Sequence, residues 1–156
     1  MKWIKIVPFA LTAIMIAAVV SDEDNLAAKT VSAKVSAKSS TRIAWRTSFK
    51  AAQAEAKKTG KPILVDFTAE WCTNCKALDD KTYTDANVIR ESRKFVAVKV
   101  DTDKDTAIAK KYNVSSLPVV AVLKPDGTLS SSFLGFRDAK GTVSFLQTAY
   151  AKARRK

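Results

Sequence analysis

The run Ile63-Leu64-Val65-Asp66-Phe67 constrains this chain more than any other stretch. Its apolar residues do not alternate with polar ones, so it describes a strand buried inside a sheet, with a single acid enclosed in it. Ile43 and Trp45 predict a short strand upstream. Residues 48–58 have strong helix-forming composition, closed by Thr59-Gly60 and Pro62. Downstream, a helix is predicted over 72–78 with a second piece over 86–92, a strand over 95–100, and a helix over 103–112 with Asp103 as N-cap. Strands over 119–123 and 129–134 flank the turn signature Pro125-Asp126-Gly127, and a last helix over 138–153 is apolar at Val143, Phe145, Leu146 and Ala149. The order β-α-β-α-β-α-β-β-α implies an α/β fold, a central mixed sheet with helices on both faces.

Composition removes several kinds of chemistry. With no His, the chain has no Ser-His-Asp or Cys-His nucleophile and no imidazole base. Two cysteines cannot supply four zinc ligands, so no metal is expected. The formal net charge of +12 alone would suggest a nucleic-acid or anionic-membrane partner. Its distribution weakens that suggestion for the domain itself. Residues 25–50 carry 6 basic and 0 acidic groups and residues 139–156 carry 5 and 0, whereas 51–138 carry 14 and 12. The excess sits in the flanks of a nearly neutral middle.

The N-terminus divides from the rest. Met1-Lys2-Trp3-Ile4-Lys5 precedes a charge-free apolar run, residues 6–20, interrupted by Pro8 and Thr12 and followed by Ser21-Asp22-Glu23-Asp24. This is the outline of an export signal. As a helix the run would span roughly 22 Å, short of a ~30 Å hydrocarbon core, which favours a cleaved signal. Val19-Val20-Ser21 is the best cleavage candidate, and an uncleaved membrane anchor over residues 4–20 remains the alternative. The expected organisation is an export signal or anchor at 1–21, a basic Ala/Ser/Lys linker at 22–40, and a folded domain at 41–156, acting as a monomer in the periplasm or another extracytoplasmic space.

The two cysteines stand in Trp71-Cys72-Thr73-Asn74-Cys75-Lys76, after the buried strand and at the opening of a helix. A two-residue gap there lets the sulfurs approach bonding distance and puts the first thiol at the positive end of the helix, where a thiolate is stabilised. The competing readings are half of a metal site, which has no other half, and two packed cysteines. Redox chemistry is the stronger reading. Asp66, desolvated in its strand, would have a raised pKa and suit proton transfer, unless it is an edge-strand acid facing water. Lys99, between Val98 and Val100, faces either Asp66 or solvent. Glu70 and Lys76 read as surface charges.

Residues 65–76, with Ser116-Leu117-Pro118 some forty residues on, resemble the thioredoxin superfamily over about 41–153. Lys61-Pro62, Thr82-Tyr83 with Asp85 and Val88, and Gly135-Phe136-Arg137-Asp138 further resemble the C-terminal thioredoxin-like domain of the membrane reductase DsbD. In that family the domain is attached to a transmembrane electron conduit; here it follows its own export segment. The resemblance implies a thioredoxin fold and assigns roles. Cys72 matches the attacking, solvent-facing thiol, Cys75 the resolving thiol, and the two form the redox-active disulfide. Asp66 matches the buried acid and Lys99 its neighbouring lysine. Pro118 matches the cis-proline facing the disulfide, Leu117 the residue whose backbone holds a substrate strand, and Trp71 the aromatic beside the first cysteine. For Trp71 and Pro118 the residues alone also allow a core aromatic and an ordinary trans proline.

The function expected is thiol-disulfide exchange with disulfide-containing protein substrates, tilted toward reduction, with no cofactor, no nucleic acid and a membrane-borne dithiol as electron donor. The alternatives are a disulfide oxidase or isomerase, and a basic membrane-surface or adaptor protein using the fold as a scaffold.

Overall fold

The computed structural model describes residues 41–155; the expected export signal or anchor, the expected linker and Lys156 lie outside the described residues. In chain order the elements are α1 (Phe49–Thr59), β1 (Ile63–Thr68), α2 (Thr73–Ala77), a π-helical turn (Leu78–Thr82), α3 (Ala86–Ser92), β2 (Val96–Asp101), α4 (Thr106–Lys111), β3 (Val119–Leu123), β4 (Leu129–Leu134) and α5 (Ala139–Ala153). The strands form one sheet ordered β2-β1-β3-β4. β1 runs parallel to β2 and antiparallel to β3, and β3 pairs antiparallel with β4.

The apolar run is β1, and its position explains its composition. It lies between β2 and β3, and successive side chains enter opposite layers. Ile63, Val65 and Phe67 pack with Phe49, Ala52 and Ala56 of α1 and with Val98 and Val100 of β2. Leu64 turns the other way, among Leu78, Val88, Leu146 and Ala149. Asp66, two residues on from Leu64, is carried into that second layer by the same alternation. Fully burying a side chain such as Phe67 contributes about 1.5–3 kcal/mol, so the two-sided strand anchors both layers.

Side-chain caps set where the helices begin. Ser48 Oγ accepts from the N–H of Ala51 at the start of α1. Asp85 Oδ1 accepts from Asn87 and Val88 at α3, and Asp138 Oδ1 from Gly141 at α5. Each satisfies a donor the helix cannot. In the β3–β4 turn Gly127 has φ +94°, a left-handed conformation that favours glycine.

Three expectations need correcting. The segment around Ile43 and Trp45 is not a strand: Trp45 N–H bonds back to the Ile43 carbonyl, and a single parallel bridge, Arg46 to Val98, joins it to β2. Its side chains are nonetheless used, Ile43 buried in the core and Trp45 packed against it. Asp103 does not cap a helix. α4 begins at Thr106, because the chain first turns through residues 102–105, the N–H of Asp105 bonding the carbonyl of Asp101. The helix predicted over 72–78 runs on through Thr82 as a π-helical turn, closed by Tyr83 N–H donating to Leu78 O.

Candidate functional site

β1 ends at Thr68, and the chain turns through Ala69, Glu70 and Trp71 into α2. Cys72 occupies the N-cap of α2, and the N–H of Cys75 donates to its sulfur at 3.2 Å. The two cysteines are joined as a disulfide, with Cα atoms 5.3 Å apart. They pack with Ala69 and against Leu117. Cys72 is 5% exposed and Cys75 2%, so the first cysteine keeps slightly more surface than the second. Leu117 is followed by a cis peptide bond to Pro118, as the resemblance implied, and the Pro118 carbonyl accepts from Gly135 N–H.

Asp66 is 1% exposed, which rules out a water-facing acid. In the parallel register it stands opposite Lys99, the arrangement that puts two side chains on the same face of a sheet. Lys99 Nζ lies 3.2 Å from Asp66 Oδ2 and also pairs with Asp79. Burial pushes the Asp66 carboxyl up to about 6; the Lys99 charge opposes that rise, Asp79 adds to it, and Tyr83 lowers it slightly. The Tyr83 hydroxyl is itself pushed up, by its own burial first and then by the Asp66 charge. Lys99 is held over two rings, 5.3 Å from the centroid of Trp45 and 5.5 Å from that of Tyr83, and these rings meet edge to face at 5.1 Å. A lysine in an apolar strand is thus explained: its ammonium lies over two aromatic rings and answers two carboxylates.

Trp71 is 68% exposed, so it is not a core aromatic. Its indole N–H donates to Asp103 Oδ2 at 2.9 Å, which pins an exposed ring beside the disulfide loop. Glu70 is a surface charge, as expected, and pairs with Lys104.

The residues singled out in the sequence therefore fall into two groups. Cys72, Cys75, Leu117, Pro118 and Trp71 gather around the loop after β1, and the buried Asp66 pairs with the part-exposed Lys99 on the adjoining strands. Sequence reasoning missed Asp79, Tyr83, Trp45 and Asp103. Asp79 carried a signal, since it follows Cys75 by four residues and so shares its helical face. Trp45 and Asp103 carried none, because long-range packing brings them in.

Comparison with known proteins agrees with this arrangement. The family model described as Thioredoxin-like matches residues 44–125, and the chain belongs to that family. The thiol:disulfide interchange protein DsbD of Campylobacter jejuni (strain RM1221) is 36% identical over 76 residues, covering 46% of this chain and 13% of that protein. Mouse mitochondrial thioredoxin is 36% identical over 86 residues, 55% of this chain and 50% of the relative. The matches thus span half or less of these two relatives. Among solved structures, the reduced C-terminal domain of Neisseria meningitidis DsbD superposes with a TM-score of 0.58 at 26% identity, covering 64% of this chain and 92% of that one.

Proposed function

We propose that this chain is an exported thiol-disulfide oxidoreductase that reduces disulfides in protein substrates. The observation that carries the reading is the Cys72–Cys75 pair at the head of α2, with the Cys75 N–H aimed at the first sulfur. In the dithiol form that N–H favours a Cys72 thiolate. The thiolate attacks a substrate disulfide, forming a mixed disulfide and expelling one substrate thiolate. Cys75 then loses its proton to Asp66 and attacks the Cys72 sulfur, releasing the second thiolate and leaving Cys72–Cys75 oxidised. Two electrons pass to the substrate, and a membrane-borne dithiol returns them.

Asp66 suits the proton step because burial places its pKa near 6, close to neutral. Leu117 presents backbone to an extended substrate strand, the cis Pro118 faces the disulfide, and Trp71 supplies an exposed apolar wall. Leu134 and Phe136, also exposed, continue that wall beside Pro118, since Gly135 between them bonds its carbonyl. The similarity to DsbD supports the reductive direction. The apolar run at residues 6–20 supports export to the periplasm or another extracytoplasmic space, as a cleaved or anchored monomer.

Cys75→Ser tests the scheme. It should accumulate a covalent complex with substrate through Cys72, visible on non-reducing gels and abolished by Cys72→Ser. Turnover at the parental rate in Cys75→Ser would refute it. Equilibration with glutathione gives the direction: a potential near that of strong disulfide-forming oxidants, about −120 mV, would replace reduction by oxidation.

A further inference from the structure

We propose that the pole of the domain remote from the cysteines docks on an anionic lipid bilayer and holds the disulfide facing away from it. Ile63 is in register with Val96 on one side and with Leu123 on the other, so these three residues stand in line at one end of the sheet. The cysteines follow the opposite end of β1. Each connection at the Ile63 end brings cations. Lys58 closes α1 and Lys61 precedes β1; Arg93 lies between α3 and β2; Lys124 follows β3; Arg154 and Arg155 follow α5. Two contacts tie these connections together: Lys61 Nζ donates to the Arg93 carbonyl at 3.4 Å, and Lys124 Nζ to the Arg155 carbonyl at 3.2 Å. All of these cations are exposed except Lys124, which is half-buried.

Little at this pole cancels the charge. Glu91 is buried and paired with Lys94 at 2.7 Å; Glu55 of α1 is paired with Arg46 and also feels the Lys61 charge, and Asp126, an exposed acid on the nearby turn, feels that of Lys124. α1, α3 and α5 all end here, but a helix C-terminus brings only about half a negative charge, which attracts lysines without neutralising them. The other end of the sheet is mixed in charge, with Glu70, Asp101, Asp103, Asp105 and Asp138 set against Lys76, Lys104, Arg137 and Lys140. An anionic surface therefore attracts one pole more strongly than the other, and a domain so charged is oriented as well as bound.

The chain also enters at this pole. Arg46 pairs in parallel with Val98, so the residues before it lie toward the Val96 end of β2. The sequence leading to that point, residues 25–45, has 4 basic groups and no acid, and the apolar run at residues 6–20 precedes it. A bilayer fits this order better than a nucleic acid. Among the described residues the exposed rings, Trp71 and Phe136, lie off the basic connections; at this pole only the aliphatic Leu129, opposite Leu123, is exposed and apolar, and the half-buried Tyr150 ring is covered by Arg154 and Lys94, so no exposed ring is placed there to stack on a base.

Sedimentation of the full chain with vesicles tests the proposal, comparing phosphatidylcholine alone with phosphatidylcholine doped with phosphatidylglycerol. The difference isolates the electrostatic part from any insertion of the apolar run. Each cation at the surface is worth roughly fivefold in partitioning at low salt. Lys61→Gln/Lys124→Gln/Arg155→Gln should cut the anionic preference more than tenfold and leave binding to phosphatidylcholine unchanged. Lys58→Gln/Arg154→Gln, which removes neither carbonyl contact, should cut it in the same sense, so the test survives if the triple variant unfolds. Lys76→Gln/Lys81→Gln/Lys110→Gln, away from the pole, should leave the preference intact. No anionic preference in the parent, equal losses in the last variant, or tighter binding to duplex DNA than to the anionic vesicles at the same salt would each overturn the proposal.

Discussion

Asp66 shows how a residue's chemistry is set by its surroundings. Its carboxyl is raised from 3.8 to about 6, so the folded state binds a proton the unfolded state has released. The stability consequence has the sign opposite to that of an ordinary salt-bridged acid. Stability is fullest below pH 4, falls as pH rises toward 6, and stays low above it. Asp66→Asn should therefore stabilise the oxidised protein at pH 7.5 by on the order of 2–3 kcal/mol and make little difference at pH 4. Urea titrations at both values check this, and an equal effect at the two pH values would contradict the raised pKa. Lys99 opposes the rise, so Lys99→Met should move the Asp66 carboxyl midpoint above 6 in a carbon-detected NMR titration. Both residues could be named from the sequence because an acid and a lysine are conspicuous in apolar strands. Their pairing could not, since it depends on β1 and β2 lying side by side in one register. Trp71 likewise stood out, while its partner Asp103 was mistaken for a helix cap.

At the scale of elements, local sequence was a good guide wherever local interactions decide. Ser48, Asp85 and Asp138 start their helices through bonds to N–H groups two or three residues away. Asp85→Ala should accordingly cost about 1 kcal/mol, measured by denaturant unfolding. The π-helical turn is different. Leu78, its first residue, is completely buried in the layer that holds Val88 and Leu146. Leu78→Ala should destabilise the protein by about 2–5 kcal/mol, and a loss under 1 kcal/mol would mean that this turn does not hold the layer together. Nothing in Leu78-Asp79-Asp80-Lys81-Thr82 announces a π-helix. The Ile43–Trp45 segment failed as a strand for a related reason: two apolar residues one apart fit a strand equally well as a coil whose side chains find the core.

Across the whole molecule, stability should grade outward from β1. The amides of β1 and β3 are enclosed between neighbouring strands, whereas β4 has one partner and a largely uncovered face. Hydrogen exchange should find the slowest protons in β1 and β3, opening only with global unfolding, and faster exchange in β4. Uniform protection across the sheet would contradict that gradient. The same topology sorts the charges, since loops that are far apart in the chain leave from the same end of the sheet. By itself the sequence determined the alternation of helix and strand, the buried central strand and the cysteine pair, because period, caps and spacing are local properties of a chain. Only the tertiary structure decided which strand lies beside which. That choice brought Lys99 to Asp66, set Asp79, Tyr83 and Trp45 around them, and gathered cations from four separate connections at one pole.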